Sequence, residues 1–312
     1  GINRVDKLDE LCYPAWYKFK IKKYPGIYKE RGKSLLPIFA SRGCFGRCSF
    51  CATLDSLAKN SYRIRSPKCV AEELEYMVEK YKVSNFLFND PCFPVQEKFV
   101  EELSKEIVDR GLNDKIIWMA ETRIQKIPRS TFKMMYKSGC RIIAFGIESG
   151  NQEILDRINK NIKLDEIRRA VGNAKSEGLD VISSFMVGLP GDTKETIKET
   201  LNFAKELRVT QAFFSPTMLL PNTQIFEEAV KQGRIDKDFW KNYVLTGGDI
   251  PLNLEKDFTR EELINIVQNA YRSFFLQPRI IANYLMKLKD SSSIKMYIKY
   301  AESIVKKKYS GI

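Results

Sequence analysis

An apolar run typical of a β-strand alternates with an amphipathic, helix-like stretch six times along this 312-residue chain. Because these strands are almost continuously apolar, the alternation predicts a parallel sheet that helices bury on both faces. Six units are too few to close an eightfold barrel, so an open, curved six-stranded barrel and a doubly wound sheet are the two folds that remain. The predicted strands cover Leu35 to Ser41, Asn85 to Asp90, Ile116 to Arg123, Arg141 to Ser149, Val181 to Leu189 and Val209 to Leu219.

Three of the predicted helices begin at recognisable signals. Ser66-Pro67 opens the first helix with proline in the first turn, where its missing N–H costs nothing. Capping-box spacing predicts two further helix starts, at Asp192 to Glu195 and at Thr259 to Glu262.

The chain divides into three regions. Residues 1–34 are polar, aromatic and punctuated by proline, and we interpret them as a lead-in strap. Residues 35–222 carry the alternating strands and helices, and residues 223–312 form a helical C-terminal extension. The net charge is +13, and nine basic but only two acidic residues lie between Arg272 and Lys308. Three interpretations of these basic helices are open. We favour a solvated cap over the sheet. The alternatives are a surface that contacts an anionic membrane or a lipid substrate, and an RNA-binding surface.

The composition is that of a soluble globular chain with enough hydrophobic residues, 44%, for a large core. No apolar run approaches the roughly 18–20 residues of a membrane span, and no segment resembles a signal peptide. We therefore expect a cytoplasmic protein, with peripheral contact at a membrane as an alternative. The chain starts at Gly1 rather than Met, which predicts a fragment of a longer protein.

The chain contains no histidine. This absence excludes Ser-His-Asp and Cys-His nucleophiles, a histidine general base, and every zinc or haem site that needs an imidazole ligand. Any chemistry therefore depends on cysteine, on carboxylates, on the backbone or on a cofactor.

Seven cysteines, an odd number in a chain without an export signal, favour reduced thiols or metal ligands over disulfide bonds. Cys44, Cys48 and Cys51 fall within eight residues directly after the first predicted strand, on a loop that contains Gly43 and Gly46. Glycine lets so short a loop turn sharply enough for three thiolates to bind one iron–sulfur cluster. Three ligands leave one iron of a four-iron cluster open to a small molecule, which suits catalysis. The alternative is a closed structural site that a fourth cysteine completes.

The remaining four cysteines have weaker patterns, since none forms a Cys-x-x-Cys pair with the triplet. Cys92 follows the second predicted strand and either faces a cavity as a hydrogen donor or is a buried core thiol, which we favour. Cys140 precedes the fourth strand and is interpreted as packing. Cys12 and Cys69 lack a partner pattern, so no second cluster is expected.

The triplet resembles the radical S-adenosylmethionine superfamily, in which Cys-x-x-x-Cys-x-aromatic-Cys follows the first strand. Four later segments, each near the carboxyl end of a predicted strand, support the resemblance, which covers residues 35–222: Phe86 to Pro91, Trp118 to Arg123, Phe145 to Gly150 and Val187 to Asp192. The resemblance implies an open (βα)6 partial TIM barrel whose three cysteines hold a 4Fe-4S cluster. It also implies that the open iron binds S-adenosylmethionine, which one electron cleaves to methionine and a 5′-deoxyadenosyl radical, while the protein excludes water and oxygen.

The resemblance implies further roles in the first half of the core. Phe50 packs against the cluster or the adenine. Asp90, with Asn89, faces the methionine ammonium, and a helix N-cap is the alternative for Asp90. Arg123 meets the methionine carboxylate or forms a structural ion pair.

In the second half of the core, Glu148 is expected to bind the ribose or the amino-acid portion of S-adenosylmethionine. A salt bridge to Arg123 or Arg168 is the alternative. Backbone groups of Gly188, Leu189 and Pro190 are expected at the adenine edge, and a plain strand-to-helix turn is the alternative.

Two more segments narrow the resemblance to radical proteins that carry an N-terminal cobalamin-binding domain. Asp9 to Trp16 is similar to their linker, although Cys12 stands where proline is usual, and Phe274 to Pro278 is similar to their C-terminal region. Without histidine the chain holds no Asp-x-His-x-x-Gly cobalamin motif, so any cobalamin would bind a domain outside these residues.

This narrower resemblance implies methyl transfer, cyclisation or another carbon-skeleton modification of a small or lipidic substrate, with ferredoxin or flavodoxin as electron donor. Nucleic acid is not an expected partner. The alternatives are a non-enzymatic iron–sulfur protein for electron transfer or structure, and a tRNA methylthiotransferase. The tRNA methylthiotransferase is the poorer alternative, because no appended RNA-binding module and no second cysteine set are recognisable in the sequence.

Overall fold

The computed structural model describes residues 5–21, 34–52, 62–253 and 258–286. The strands, in chain order, are β1 Leu35–Ile38, β2 Ser41–Arg42, β3 Arg63–Ile64, β4 Asn85–Phe88, β5 Ile117–Arg123, β6 Cys140–Glu148, β7 Asp180–Val187 and β8 Gln211–Pro216. The α-helices are α1 Pro67–Tyr81, α2 Glu97–Asp109, α3 Arg129–Lys137, α4 Gln152–Arg157, α5 Leu164–Ser176, α6 Lys194–Glu206, α7 Gln224–Lys231, α8 Phe239–Thr246, α9 Arg260–Phe275 and α10 Pro278–Met286. Two short 3-10 turns, Leu8–Glu10 and Trp16–Lys18, lie in the lead-in strap (residues 1–34).

Six strands form one sheet in the order β1-β4-β5-β6-β7-β8, while β2 and β3 pair separately as a small antiparallel ladder. The pairs β1–β4, β4–β5 and β5–β6 are parallel. A doubly wound sheet reverses its strand order at a switch point, whereas these strands follow the chain in one direction. The predicted open α/β fold of the partial-barrel type is therefore confirmed.

The chain forms two compact units that cut across the sequence. The first unit comprises residues 1–46, 53–146 and 165–182, and the second comprises residues 47–52, 147–164 and 183–312. The domain boundaries at residues 34 and 222 remain predictions from the sequence.

An aromatic cluster forms part of the core of the first unit. Phe88, Phe93 and Trp118 are at most 1% exposed, and their ring centroids lie 4.9–5.6 Å apart in tilted and edge-on pairs. The indole N–H of Trp118 donates to the backbone carbonyl of Ser138 at 2.9 Å, so the one polar group of this ring is satisfied inside the core. Helix α1 packs against α2, and α2 packs against α3.

In the second unit, α9 packs against β8 and against α6. Phe214 of β8 stacks on Phe185 and meets Tyr271 and Phe274 edge-on, at centroid distances of 5.5–6.1 Å. The hydroxyl of Tyr271 also accepts a hydrogen bond from the backbone N–H of Phe214 at 3.1 Å. These contacts give the predicted helical extension a packed face on the last strand.

Two predicted helix starts are confirmed and one is wrong. Ser66 caps α1 through the backbone N–H of Cys69, and Thr259 forms the predicted capping box with Glu262. Helix α6, however, has its capping box between Thr193 and Thr196, one residue later than predicted. The cause is Asp192, whose carboxylate bonds the preceding turn instead of capping the helix.

The first and last predicted strands are shorter in the structure. Strand β1 ends at Ile38 rather than at Ser41, which pairs with Ile64 in the separate antiparallel ladder. Strand β8 covers Gln211–Pro216 rather than Val209 to Leu219. The predicted basic helices beyond residue 286 lie outside the described residues. Within the described parts of the chain, no helix has the length and apolarity to cross a membrane.

Candidate functional site

The cysteine loop begins directly after β2. All seven cysteines are thiols without a disulfide bond, and within the triplet Cys48 is buried while Cys44 and Cys51 are half-buried. The backbone N–H of Cys51 donates to the carbonyl of Cys48 at 3.2 Å, which closes a tight turn between two of the three thiols. Among the residues that the structure describes, no three Cys, Asp or Glu side chains form a ready metal-binding group.

The donor set itself fits an iron–sulfur cluster. Three thiols on one short loop supply the soft sulfur ligands that such clusters require, and they leave one iron of a 4Fe-4S cluster without a protein ligand. The backbone N–H of Gly46 donates to the Sγ of Cys44 at 3.3 Å, as backbone amides do at cluster sulfurs.

Gly46 lies where Arg123 crosses the cysteine loop. A Cβ atom at position 46 would lie 2.5 Å from Nη1 of Arg123 and 3.4 Å from the Sγ of Cys44. Arg123, the last residue of β5, is only 8% exposed, so its guanidinium is held against the loop backbone beside the first thiol. The arrangement places a positive charge beside the first thiol of the triplet.

Cys92 lies near Cys44, the first thiol of the triplet, which the sequence pattern did not show. The thiol of Cys92 is fully buried, and its sulfur lies 3.7 Å from Oγ1 of Thr122. Interaction with the Cys44 thiol and burial together raise the pKa of the Cys92 thiol far above its ordinary value. Cys140 packs as predicted: it is fully buried, and burial raises the pKa of its thiol.

Asp90 closes the corner that leads from β1 into the cysteine loop. Its carboxylate accepts hydrogen bonds from the backbone N–H of Ala40, from the backbone N–H of Ser41 and from the Ser41 hydroxyl. Burial, with 3% of the residue exposed, raises the pKa of Asp90. The helix N-cap interpretation is wrong, because α2 begins seven residues later and has Gln96 at its N-cap. Asn89 has an exposed side chain, and its backbone N–H donates to the carbonyl of Ile38.

In the second unit, Glu148 forms a buried ion pair with Lys160. The Nζ and Oε1 atoms are 2.9 Å apart, and the two side chains are 6% and 10% exposed. Arg168, one of the cations proposed from the sequence, pairs with Asp165 instead. Glu148 has a φ of 72°, a left-handed conformation that is rare outside glycine and that clusters at functional sites. Lys160 was missed because a single lysine between helices α4 and α5 has no distinguishing pattern.

Phe50 is fixed between two small hydrophobic clusters of the second unit. One contains Ile158 and Leu189, and the other contains Leu219 and Phe226. The Nζ of Lys160 lies 6.0 Å from the centroid of the Phe50 ring, within the range of a cation–π contact. Phe50, the aromatic residue of the cysteine motif, therefore contacts the Glu148–Lys160 ion pair through Lys160.

The turn after β7 is stabilised by two buried polar side chains. The carboxylate of Asp192 accepts from the backbone N–H groups of Gly188 and Leu189, at 3.0 and 2.8 Å. The side-chain amide of Asn253, which the sequence analysis did not single out, donates to the carbonyl of Gly188 at 2.9 Å. The expected adenine contacts of Gly188, Leu189 and Pro190 therefore lie on a turn whose backbone N–H donors already have partners.

The fold and this loop identify the class of protein. The model of the Radical SAM superfamily matches residues 38–204, more than half of the chain, so the chain belongs to this superfamily. The matched segment begins at the end of β1 and includes the cysteine triplet.

Among curated proteins, the chain is similar to an uncharacterized methyltransferase of Pyrococcus horikoshii, with 30% identity over 277 residues, 89% of this chain and 58% of that protein. It is also similar to the anaerobic magnesium-protoporphyrin IX monomethyl ester cyclase of Cereibacter sphaeroides, with 31% identity over 278 residues, 88% of this chain and 43% of that protein. The chain thus spans about half the length of these relatives.

Among solved structures, the fold is similar to that of the radical S-adenosylmethionine methyltransferase TsrM from Kitasatospora setae, a structure with cobalamin and a 4Fe-4S cluster bound. The TM-score is 0.58 and the sequence identity 21%, over 64% of this chain and 37% of that chain. At this identity the likeness concerns the fold.

Proposed function

We propose that this chain is the radical S-adenosylmethionine core of an enzyme and that Cys44, Cys48 and Cys51 bind its 4Fe-4S cluster. The observation that carries the proposal is the spacing of three free thiols within eight residues directly after β2, inside the segment that matches the superfamily. Functional groups of parallel α/β folds gather at this end of the strands. We propose residues 35–222 as the core, with the strap before it and the helical extension after it.

When bound, the reduced cluster and S-adenosylmethionine together supply a 5′-deoxyadenosyl radical. The residues of the chain bind and orient the cofactor. Arg123, held beside Cys44, attracts the methionine carboxylate, since it is a buried cation next to the first cluster ligand. Asp90 with Asn89 remains our candidate for the methionine ammonium, although Asp90 also bonds the β1–β2 corner.

The residues of the second unit are proposed to bind the nucleoside. Glu148, fixed by Lys160, presents its second carboxylate oxygen to the ribose hydroxyls. Phe50 packs against the cluster or the adenine, and the backbone of the turn Gly188, Leu189 and Pro190 lies at the adenine edge. The left-handed backbone of Glu148 supports this role, because strained residues cluster where a side chain must be aimed.

For the reaction we propose methyl transfer or another carbon-skeleton modification of a small organic or lipidic substrate. The similarity to a methyltransferase and to a porphyrin cyclase supports this class, and a further relative at 26% identity is the hopanoid C-2 methylase of Rhodopseudomonas palustris. Cobalamin is bound in one structural neighbour, and we propose that any cobalamin here is held by a domain outside the 312 residues. A ferredoxin or flavodoxin is the proposed electron donor. The proposed location is the cytoplasm. A solvated cap remains our favoured role for the basic extension, and membrane-surface contact is the alternative.

Anaerobic reconstitution with iron and sulfide tests the central proposal. We expect about four iron and four sulfide per chain, and 5′-deoxyadenosine from S-adenosylmethionine after reduction. Single alanine variants of Cys44, Cys48 and Cys51 should lose both the cluster and the production of 5′-deoxyadenosine. The Cys140→Ala variant, which removes a buried thiol outside the loop, should keep both. A cluster that never yields 5′-deoxyadenosine would identify a non-enzymatic iron–sulfur protein. Retention of added hydroxocobalamin by the chain after gel filtration would contradict the placement of cobalamin elsewhere.

A further inference from the structure

The turn after β7 has its backbone polar groups, from the carbonyl of Val187 to the carbonyl of Leu189, bonded within the protein. The N–H groups of Gly188 and Leu189 donate to the carboxylate of Asp192. The carbonyl of Val187 accepts from the backbone N–H of Thr217 at 2.8 Å, and the carbonyl of Leu189 accepts from that of Asp192 at 2.9 Å. These partners lie within the predicted core, so the core itself fixes all of these groups except the carbonyl of Gly188.

Asn253 supplies the partner for the carbonyl of Gly188 from the helical extension (residues 223–312). Its Nδ2 donates to that carbonyl at 2.9 Å, and its Oδ1 accepts from Nη1 of Arg234 at 2.9 Å. Arginine can only donate, so the amide oxygen must face Arg234 and the NH2 group must face Gly188. The backbone N–H of Asn253 also donates to the carbonyl of Thr217 at 2.8 Å, and the residue is 1% exposed. The side-chain amide is therefore held in one orientation.

The shape of the Gly188 turn depends on this amide. Gly188 is buried, so without Nδ2 of Asn253 its carbonyl would lose a hydrogen bond that water cannot replace in place, which is costly. Gly188 has a φ of 79°, and glycine reaches other backbone conformations easily, so the turn can change shape to bring the carbonyl to water. A turn that holds its native shape for only a fraction of the time binds a ligand more weakly by the inverse of that fraction.

We propose that Asn253 is a positioning residue for S-adenosylmethionine, because it keeps the Gly188 turn in the shape that receives the adenine. The inference rests on the proposed function, in which the backbone of residues 188–190 lies at the adenine edge. Asn253 acts through the turn and not by touching the ligand. The nucleoside site therefore depends on a residue beyond the predicted core of residues 35–222, and Arg234 contributes by orienting the amide.

The test compares Asn253→Asp with the parent as reconstituted full chains, by anaerobic equilibrium dialysis of S-adenosylmethionine. The variant keeps the size of the side chain and the oxygen that faces Arg234, but an oxygen replaces the NH2 group that faces Gly188. We expect the dissociation constant to rise about tenfold, as for one buried carbonyl left unpaired. The rate of 5′-deoxyadenosine formation at saturating S-adenosylmethionine should stay within about twofold of the parent, because the bound ligand restores the turn.

A matched control and a second measurement accompany this test. The Nδ2 of Asn173 donates to the backbone carbonyl of Ile127, at 3.5 Å, in the first unit, so Asn173→Asp should leave the dissociation constant unchanged. Hydrogen exchange of the chain without ligand should be at least about tenfold faster at the N–H groups of the Gly188 turn in Asn253→Asp. If Asn253→Asp fails to fold, Arg234→Met, at an exposed position, frees the amide to rotate and should raise the dissociation constant about threefold.

The outcomes separate this inference from the proposed function. A parent chain that binds neither a cluster nor S-adenosylmethionine overturns the proposed function, and the inference with it. A parent that binds both, with equal dissociation constants in Asn253→Asp and Asn173→Asp, overturns the inference alone. A lower rate at saturating S-adenosylmethionine in Asn253→Asp, with the dissociation constant unchanged, also overturns it, because the residue would then act on the reaction rather than on the binding turn.

Discussion

Lys160 is the residue whose replacement tests the structure of the second unit most directly. In Lys160→Met the side chain keeps its length but loses its charge, and Glu148 is left as a buried carboxylate whose partner at 2.9 Å has gone. The two side chains are 6% and 10% exposed, so water cannot replace the ammonium without local opening. Removal of one partner of a buried pair typically costs about 3–5 kcal/mol of the free energy of unfolding.

The assay is equilibrium unfolding in urea at pH 7. With a slope of about 3 kcal/mol per molar urea for a large domain, that loss lowers the midpoint by about 1 to 1.7 M. Lys163→Met is the matched control, because the Lys163–Asp156 pair of the same region is 64% and 53% exposed and is worth about 0–1 kcal/mol. The double variant Glu148→Gln with Lys160→Met removes both charges and should recover most of the lost stability.

Two results would refute this reasoning. A midpoint for Lys160→Met equal to that of Lys163→Met would show that the Glu148 carboxylate is hydrated in the folded chain. A double variant whose loss equals the sum of the two single losses would show that the two charges do not interact.

Two further substitutions test the corner at Asp90 and the turn at Gly188. In Asp90→Asn, an NH2 group replaces one carboxylate oxygen and faces backbone N–H groups that also donate. We expect the free energy of unfolding to fall by about 1–3 kcal/mol. Burial raises the pKa of Asp90 above its unfolded value near 3.9, so the folded chain binds the proton more tightly and this group's contribution to stability falls as the pH rises through the folded pKa. The advantage of the parent over Asp90→Asn should therefore shrink from pH 4 upward in urea titrations, and an advantage that grows with pH would show a lowered pKa instead. Gly188→Ala would place a Cβ 3.0 Å from Cδ1 of Leu263 and 3.2 Å from the carbonyl of Asn253, on a backbone with a φ of 79°. It should cost about 1–3 kcal/mol more than Gly233→Ala, where φ is 69° and the space is open, and thermal unfolding with equal losses for both would contradict the crowding.

Local sequence patterns predicted the parts of the fold that depend on near neighbours. The six apolar strands and the capping signals at Ser66 and Thr259 correspond to elements of the structure. The predicted strand ends were less accurate. Ser41 looked like the end of β1, but Asp90, 49 residues later, bonds its backbone and hydroxyl at the corner into the next ladder. The capping box at Asp192 moved by one residue for the same kind of reason, since its carboxylate bonds the turn before the helix.

The sequence by itself determined the class of this protein, because the cysteine triplet and the strand–helix alternation are spacings along the chain, and backbone geometry converts such spacings directly into structure. Only the tertiary structure decided which side chains surround that triplet. The Cys92 sulfur lies 3.7 Å from Oγ1 of Thr122, 30 residues away, Arg123 reaches the loop at Gly46, and Asn253 reaches Gly188 across 65 residues. Such partners are selected because a buried polar group must be satisfied by whatever the fold brings within hydrogen-bond distance, and that distance is set by packing rather than by order in the chain.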